Sequence, residues 1–230
     1  YEKSYLKDGD NKHFRFNVKT RYIHPKNQRL HFGINVNALY QHWGRFFLFN
    51  SLQEPYQGAI SDDRYSLTTI DPYVSYRTDN GWQHKLKTRF YNITRYRQSG
   101  FRTHNSNLFY SEYQIQKRLP FGMSITAGGV GSLIWGYNVA YNDGNPVGSY
   151  SGGLYGQVEQ KVGRLNLVAG ARYEVNATDV ALLDSLGIED TYTPLVIRLG
   201  ANYNITENTF MRFSYGQGYR SPSIVERFIE

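Results

Sequence analysis

Apolar and polar residues alternate along most of this chain. Phe14, Phe16, Val18, Thr20 and Tyr22 share one parity, and Arg15, Asn17, Lys19 and Arg21 share the other. Leu30, Phe32, Ile34, Val36, Ala38 and Tyr40 alternate in the same way with Arg29, His31, Asn35, Asn37 and Gln41. A period of two sends successive side chains to opposite faces of a strand, whereas a helix would mix the two sets around its circumference. The parity recurs over 70–76, 86–90, 109–115, 125–133, 154–158, 165–173, 195–203 and 211–215. Ten long strands result, each joined to the next, and the pattern predicts an all-β antiparallel meander. Pro72 lacks an N–H for the ladder and is expected at an edge or a bulge.

The connections between these strands fall into two kinds. Short turns occupy 24–28, 78–81, 118–122, 162–164 and 205–208, whereas longer stretches lie near 43–64, 96–106, 135–149 and 175–193. A chain that crosses a slab repeatedly, turning tightly on one side and looping out on the other, produces this asymmetry. Outer-membrane barrels do so because their periplasmic turns are short and their outside loops long. A soluble sandwich has no reason to sort its connections by side.

Composition is compatible with this reading. No run approaches the ~20 apolar residues of a spanning helix, but barrel strands need only ~9–11 residues with every second one apolar. Aromatics make up 16% of the chain, with 21 Tyr. Tyr22, Tyr76, Trp82 and Tyr203 stand beside short turns, and Tyr40, Trp135 and Tyr173 beside long ones. They read as two interfacial girdles, where a ring with a polar edge is favoured. The chain has no Cys, and no signal peptide opens it, so Tyr1 is not expected to be a native start. A propeller would need four short strands per repeat rather than two long ones.

Charge adds a second asymmetry to a net +7. Residues 1–120 hold 19 Lys+Arg against 9 Asp+Glu, and residues 121–230 hold 7 against 10. The polar parity carries Arg15, Lys19, Arg21, Lys85, Lys87 and Arg89, so one wall of a polar lumen is expected to be basic. Two readings stand: a solvated face paired with acidic groups elsewhere, or an electrostatic guide for an anionic ligand. The six His are scattered without metal-ligand spacing, Asn142-Asp143-Gly144-Asn145 reads as a plain turn, and no glycine run precedes a helix to cradle phosphate. No metal, cofactor or nucleic acid is expected.

The stretch from Phe213 to Phe228 contains Gly218-Tyr219-Arg220-Ser221-Pro222-Ser223-Ile224-Val225-Glu226. It resembles the G-x-R-x-P-x-x-x-E signature of TonB-dependent outer-membrane receptors, carried by Gly218, Arg220, Pro222 and Glu226. Tyr155-Gly156-Gln157-Val158-Glu159 and the stretch LNLVAGARYE from Leu165 to Glu174 resemble a hairpin of the same receptors. The resemblance covers about 150–228 by motif and the rest by pattern, and the Tyr and Asn richness is similar to members from Bacteroidetes-type bacteria. It implies part of a transmembrane barrel that is 22-stranded in the whole receptor, with a plug domain inside it. Residues 1–230 are then expected to be a partial barrel domain, with the plug and the closing strands absent from it. The implied function is TonB-driven import of a scarce nutrient such as a ferric siderophore, haem, cobalamin or a glycan. The implied partners are the plug and remaining strands, TonB, outer-membrane lipid and lipopolysaccharide, and a nutrient that can be anionic.

Two rivals remain beside this reading. Asp62, Asp63 and His104 supply the ingredients of an omptin-like outer-membrane protease, and a soluble β-sandwich binding module would pack its apolar faces together. For a receptor, the outside loops are the expected place of ligand recognition. Trp43, Arg45, Arg95, Arg97, Arg102, His104, Trp135 and Tyr137 are the candidates, because aromatics stack on flat ligands and Arg forks onto anions.

Overall fold

The computed structural model describes residues 11–46, 60–97, 103–138, 146–178 and 191–218. They form β1 (Asn11–Lys19), β2 (Tyr22–Ile23), β3 (Leu30–Phe46), β4 (Ile60–Arg77), β5 (Gln83–Arg97) and β6 (His104–Leu119). A 3-10 turn at Pro120–Gly122 leads to β7 (Met123–Asn138), β8 (Val147–Val162), β9 (Leu165–Thr178), β10 (Thr191–Tyr192), β11 (Leu195–Asn204) and β12 (Phe210–Gly216). All belong to one antiparallel sheet in the order β1-β3-β4-β5-β6-β7-β8-β9-β11-β12, with β2 on β3 and β10 on β9. The partners Lys19↔Asn35 and Tyr22↔Phe32 keep one register across the β1–β2 break, where the Thr20 N–H still donates to the Ile34 carbonyl at 2.9 Å. The expected ten-strand meander is the observed one.

The two parities become two faces. Rows such as Val36↔Ile70↔Phe90↔Phe109↔Leu133↔Tyr150 cross six strands on one face. Most of these side chains are exposed: Phe14, Leu86, Phe109, Leu154, Leu199 and Phe213 are examples. Among the described residues the buried apolar ones are only Val147 and Ala177. A water-soluble domain would cover such a face with a second layer. Here the apolar face runs bare across the whole sheet, which a sandwich does not do and a lipid-facing wall requires.

Short turns close one end of the sheet. Gly81 at φ 86° and Gly163 at φ 56° take the left-handed backbone that tight hairpins need. Tyr22, Tyr76 and Tyr203 lie exposed on the apolar face near these turns, and Tyr40, Trp135 and Tyr173 toward the other end. His84 stacks between Tyr76 and Tyr113 at 6.4 and 6.1 Å and shares a 2.7 Å hydrogen bond with the Tyr113 hydroxyl.

Three expectations need correction. The strands extend further from the short turns than the alternation does, so Trp43 and Arg45 sit on β3, Arg95 and Arg97 on β5, and Trp135 and Tyr137 on β7. Beyond the bilayer both faces meet water, which removes the need for apolar alternation while backbone pairing continues. Asp62 and Asp63 join β4 and His104 opens β6 for the same reason. Pro72 lies on β4 between β3 and β5, at neither an edge nor a bulge. It stays opposite Ile34, and the ladder to β5 instead has a gap between the pairs Ile70↔Phe90 and Tyr73↔Lys87. The Thr88 hydroxyl partly fills that gap by donating to the Pro72 carbonyl at 3.4 Å.

Candidate functional site

The polar face concentrates its chemistry in two places, the middle of β1–β6 and the ends farthest from the short turns. In the middle, Arg89 forks onto Asp71 through Nε–Oδ1 at 2.7 Å and Nη2–Oδ2 at 2.8 Å. Lys87 stands opposite Glu112, which accepts hydrogen bonds from the hydroxyls of Tyr155 at 2.7 Å and Tyr110 at 3.1 Å. Lys19, Asp71, Lys85, Lys87, Arg89 and Tyr110 border a concavity of about 710 Å³. The basic wall read from the sequence therefore carries its own acidic partners, and part of its charge is neutralised within the sheet.

The hairpin β8–β9 joins the same face. The Tyr155 ring lies against Gly128, whose absent Cβ leaves room for the phenol to reach Glu112. Arg172, opposite Tyr155 in register, forms an ion pair with Glu174, and Asn166 donates to Glu159 at 3.0 Å. The motif residues Tyr155, Glu159, Arg172 and Glu174 thus form one polar strip facing away from lipid.

At the far ends, alternation and register bring four side chains together. Asp63, fully buried, stands opposite Trp43 on one side and Arg97 on the other. Arg95 reaches Asp63 at 3.5 Å and places its guanidinium 6.0 Å from the centre of the Trp43 ring. Tyr65, opposite Arg95, lies 6.3 Å from Trp43 at a 45° tilt. A guanidinium held between a carboxylate and an indole loses little freedom when it meets a ligand, and its buried Nε makes no hydrogen bond among the described residues. His104 is opposite Arg95 on β6, and Arg45 follows Trp43 by two on β3.

Of the sequence candidates, Trp43, Arg95 and His104 therefore share the polar face, and Arg45 and Arg97 occupy the same parity. Trp135 and Tyr137 belong to the apolar face, in register with Asn107 and Asn105, and stand 40% and 39% exposed there. Arg102 lies outside the described residues, as do Arg220, Pro222 and Glu226; Gly218 follows β12 with nothing crowding its Cα. Asp63 and Tyr65 were missed as partners of Trp43 and Arg95. The signal was present in their odd numbering on one strand, but only register shows what they oppose. Asp62 and Asp63 take opposite parities on β4, a backbone arrangement that does not suit the adjacent carboxylate pair of the protease reading.

A single sheet with one lipid-facing apolar wall, one charged face and short turns at one end defines an integral β-barrel protein of the outer membrane. The family model described as TonB dependent receptor-like, beta-barrel matches residues 2–229, and the chain belongs to that family. The solved structure of the alcaligin outer membrane receptor FauA from Bordetella pertussis is similar in fold, with a TM-score of 0.62 at 15% sequence identity. The match covers 90% of this chain and 35% of that one, so the chain spans about a third of the receptor's length. No curated protein matches the sequence.

Proposed function

We propose that this chain is part of the barrel wall of an outer-membrane receptor that imports a scarce nutrient under TonB drive. The family match along nearly the whole chain carries this reading. The remaining strands and a plug domain come from the rest of the receptor. In support, β1 and β12 each have a single partner strand among the described residues, and bare strand edges are untenable in lipid. The plug occupies the polar face against the wall of Lys19, Lys85, Lys87 and Arg89. Ferric siderophore, haem, cobalamin and glycan all remain within this class of nutrient. The family and the similar structure are receptors, which fits a chain that performs no catalysis.

Recognition is assigned to the rim where Trp43, Tyr65 and Arg95 meet, with His104 opposite Arg95 and with Arg45 and Arg97 in the same parity. Such a rim guides an anionic, flat ligand: Arg supplies charge and forked donors, and the indole supplies a stacking face. Replacing Arg95, Arg97 and Arg102 together with Gln in the whole receptor should slow uptake about tenfold at low salt and flatten its salt dependence. Trp43→Ala should raise the half-saturating nutrient concentration without changing the salt slope. Unaltered uptake at low ionic strength in the triple variant would remove these residues from the ligand path.

A further inference from the structure

The lumen-facing parity is not polar along its whole length. Leu39, Leu67, Ile93, Leu108 and Ile134 interrupt it, one on each strand from β3 to β7. On their own strands they stand among polar residues of the same parity: Leu39 between Asn37 and Gln41, Ile93 between Tyr91 and Arg95, Leu108 between Ser106 and Tyr110. Register joins these scattered positions into one line. Leu39↔Leu67↔Ile93 form a row across β3, β4 and β5, and one step lower Tyr91↔Leu108↔Ile134 carry it on to β7. With strands ~4.8 Å apart, the stripe runs ~19 Å around the wall. Its first four members are half-buried, and Ile134 is exposed.

The stripe lies between the two charged zones of the same face. Arg95 is the next residue of this parity beyond Ile93, ~7 Å along β5. On the other side, Leu108 borders the concavity lined by Lys19, Lys85, Lys87 and Arg89. A molecule entering past the rim therefore meets the stripe before it reaches the basic wall assigned to the plug. Barrel lumens are polar because they face water, and a continuous apolar patch on such a surface marks a place where something apolar docks. The adjoining charge says what else that molecule carries. Arg95 offers five N–H donors, and Asp63 approaches it through one Nη at 3.5 Å.

We propose that Arg95 and the stripe together seat an anionic amphiphile, its carboxylate on the guanidinium and its elongated apolar body along Leu67, Ile93, Leu108 and Ile134. The inference rests on the reading of the rim as the place of recognition, and it narrows the nutrient to a class that excludes glycans. Burial of the apolar body supplies affinity, and the guanidinium fork at one end fixes the orientation. A purely polar anion would leave the stripe wet, and a neutral apolar molecule would leave Arg95 without its carboxylate.

The test uses the whole receptor in amphipol, titrated by fluorescence with dansylaminoundecanoic acid, its methyl ester, and dansylglycine, which keeps the carboxylate but lacks the chain. Specific binding is the part that excess unlabelled dodecanoate displaces. The wild type should bind the long acid about tenfold more tightly than dansylglycine. Leu67→Thr/Ile93→Thr should lose about that factor for the long acid and its ester alike, and leave dansylglycine unchanged. Arg95→Gln should weaken both acids but not the ester. Threonine favours strands and suits a polar wall, so the variant should assemble, as heat-modifiable gel migration checks. If it misassembles, Ile93→Thr alone is held to the same comparison with Ile93→Val. Equal binding of the two acids by the wild type, or wild-type binding of the long acid by the threonine variant, would overturn the proposal. A threonine variant that binds the long acid normally but admits vancomycin across the outer membrane would give the stripe to the plug instead. Binding is read without TonB, so a receptor that binds the long acid yet imports nothing would refute the import reading and not this one.

Discussion

Arginine in place of Ile34 or Leu167 is expected to block assembly of the receptor into the membrane, whereas arginine at Asn35 or Asn166 is tolerated. Ile34 and Leu167 lie on the exposed apolar face, at 36% and 42% exposure, within the band that faces hydrocarbon. A guanidinium near the bilayer midplane costs ~2–4 kcal/mol on a barrel's lipid face. One residue along, the outcome reverses. Asn35 faces Asp71 in register, and Asn166 already donates to Glu159 at 3.0 Å, so an arginine at either place finds a carboxylate and a polar lumen. Folded yield in outer membranes, read by heat-modifiable migration, checks the contrast. Equal tolerance at neighbouring positions would dismiss the assignment of faces.

Gly128→Ala is expected to destabilise the barrel, while Gly156→Ala is nearly neutral. A Cβ at Gly128 would meet the Tyr113 carbonyl oxygen at 2.6 Å, a backbone atom of the adjacent strand that cannot swing aside. It would also push the Tyr155 ring off Glu112, leaving that carboxylate with Tyr110 as its remaining hydroxyl donor. Overpacking and a weakened polar network together are worth ~2–4 kcal/mol. A Cβ at Gly156 has open space around it, and alanine there also reduces the entropy of the unfolded chain. Urea unfolding midpoints in lipid vesicles decide the matter. A Gly128→Ala midpoint equal to wild type would show that Tyr155 and the Tyr113 backbone can give way.

Strand identity and facing were legible because lipid enforces a strict rule on one face. From Phe14 to Tyr40 no charged residue occupies the outward parity of β1 to β3, so the alternation announces both the strand and its orientation. The same rule stops at the hydrocarbon edge. Past Tyr40 the parity continues as His42 and Gly44, the signal fades, and the sequence reads as loop what the backbone hydrogen bonds hold as strand. Trp43 and Arg95 were misplaced into loops for this one reason. Trp135 further shows that an aromatic beside a long connection does not reveal its face until its parity is followed back along β7.

The sequence by itself determined the all-β meander, the division into an apolar and a charged face, the side bearing the short turns, and the family motifs. Each is a local property, carried by parity within one strand or by residues close together along the chain. The tertiary structure alone decided which side chains meet. Trp43, Asp63 and Arg95 belong to three strands, and Glu112 joins Tyr155 across 43 residues of sequence. Lys12, His42, Arg64 and Tyr96 line up only because three registers add. Register between strands is a sum of pairing choices over the whole sheet, and a shift of two residues would leave every face unchanged while exchanging every cross-strand partner.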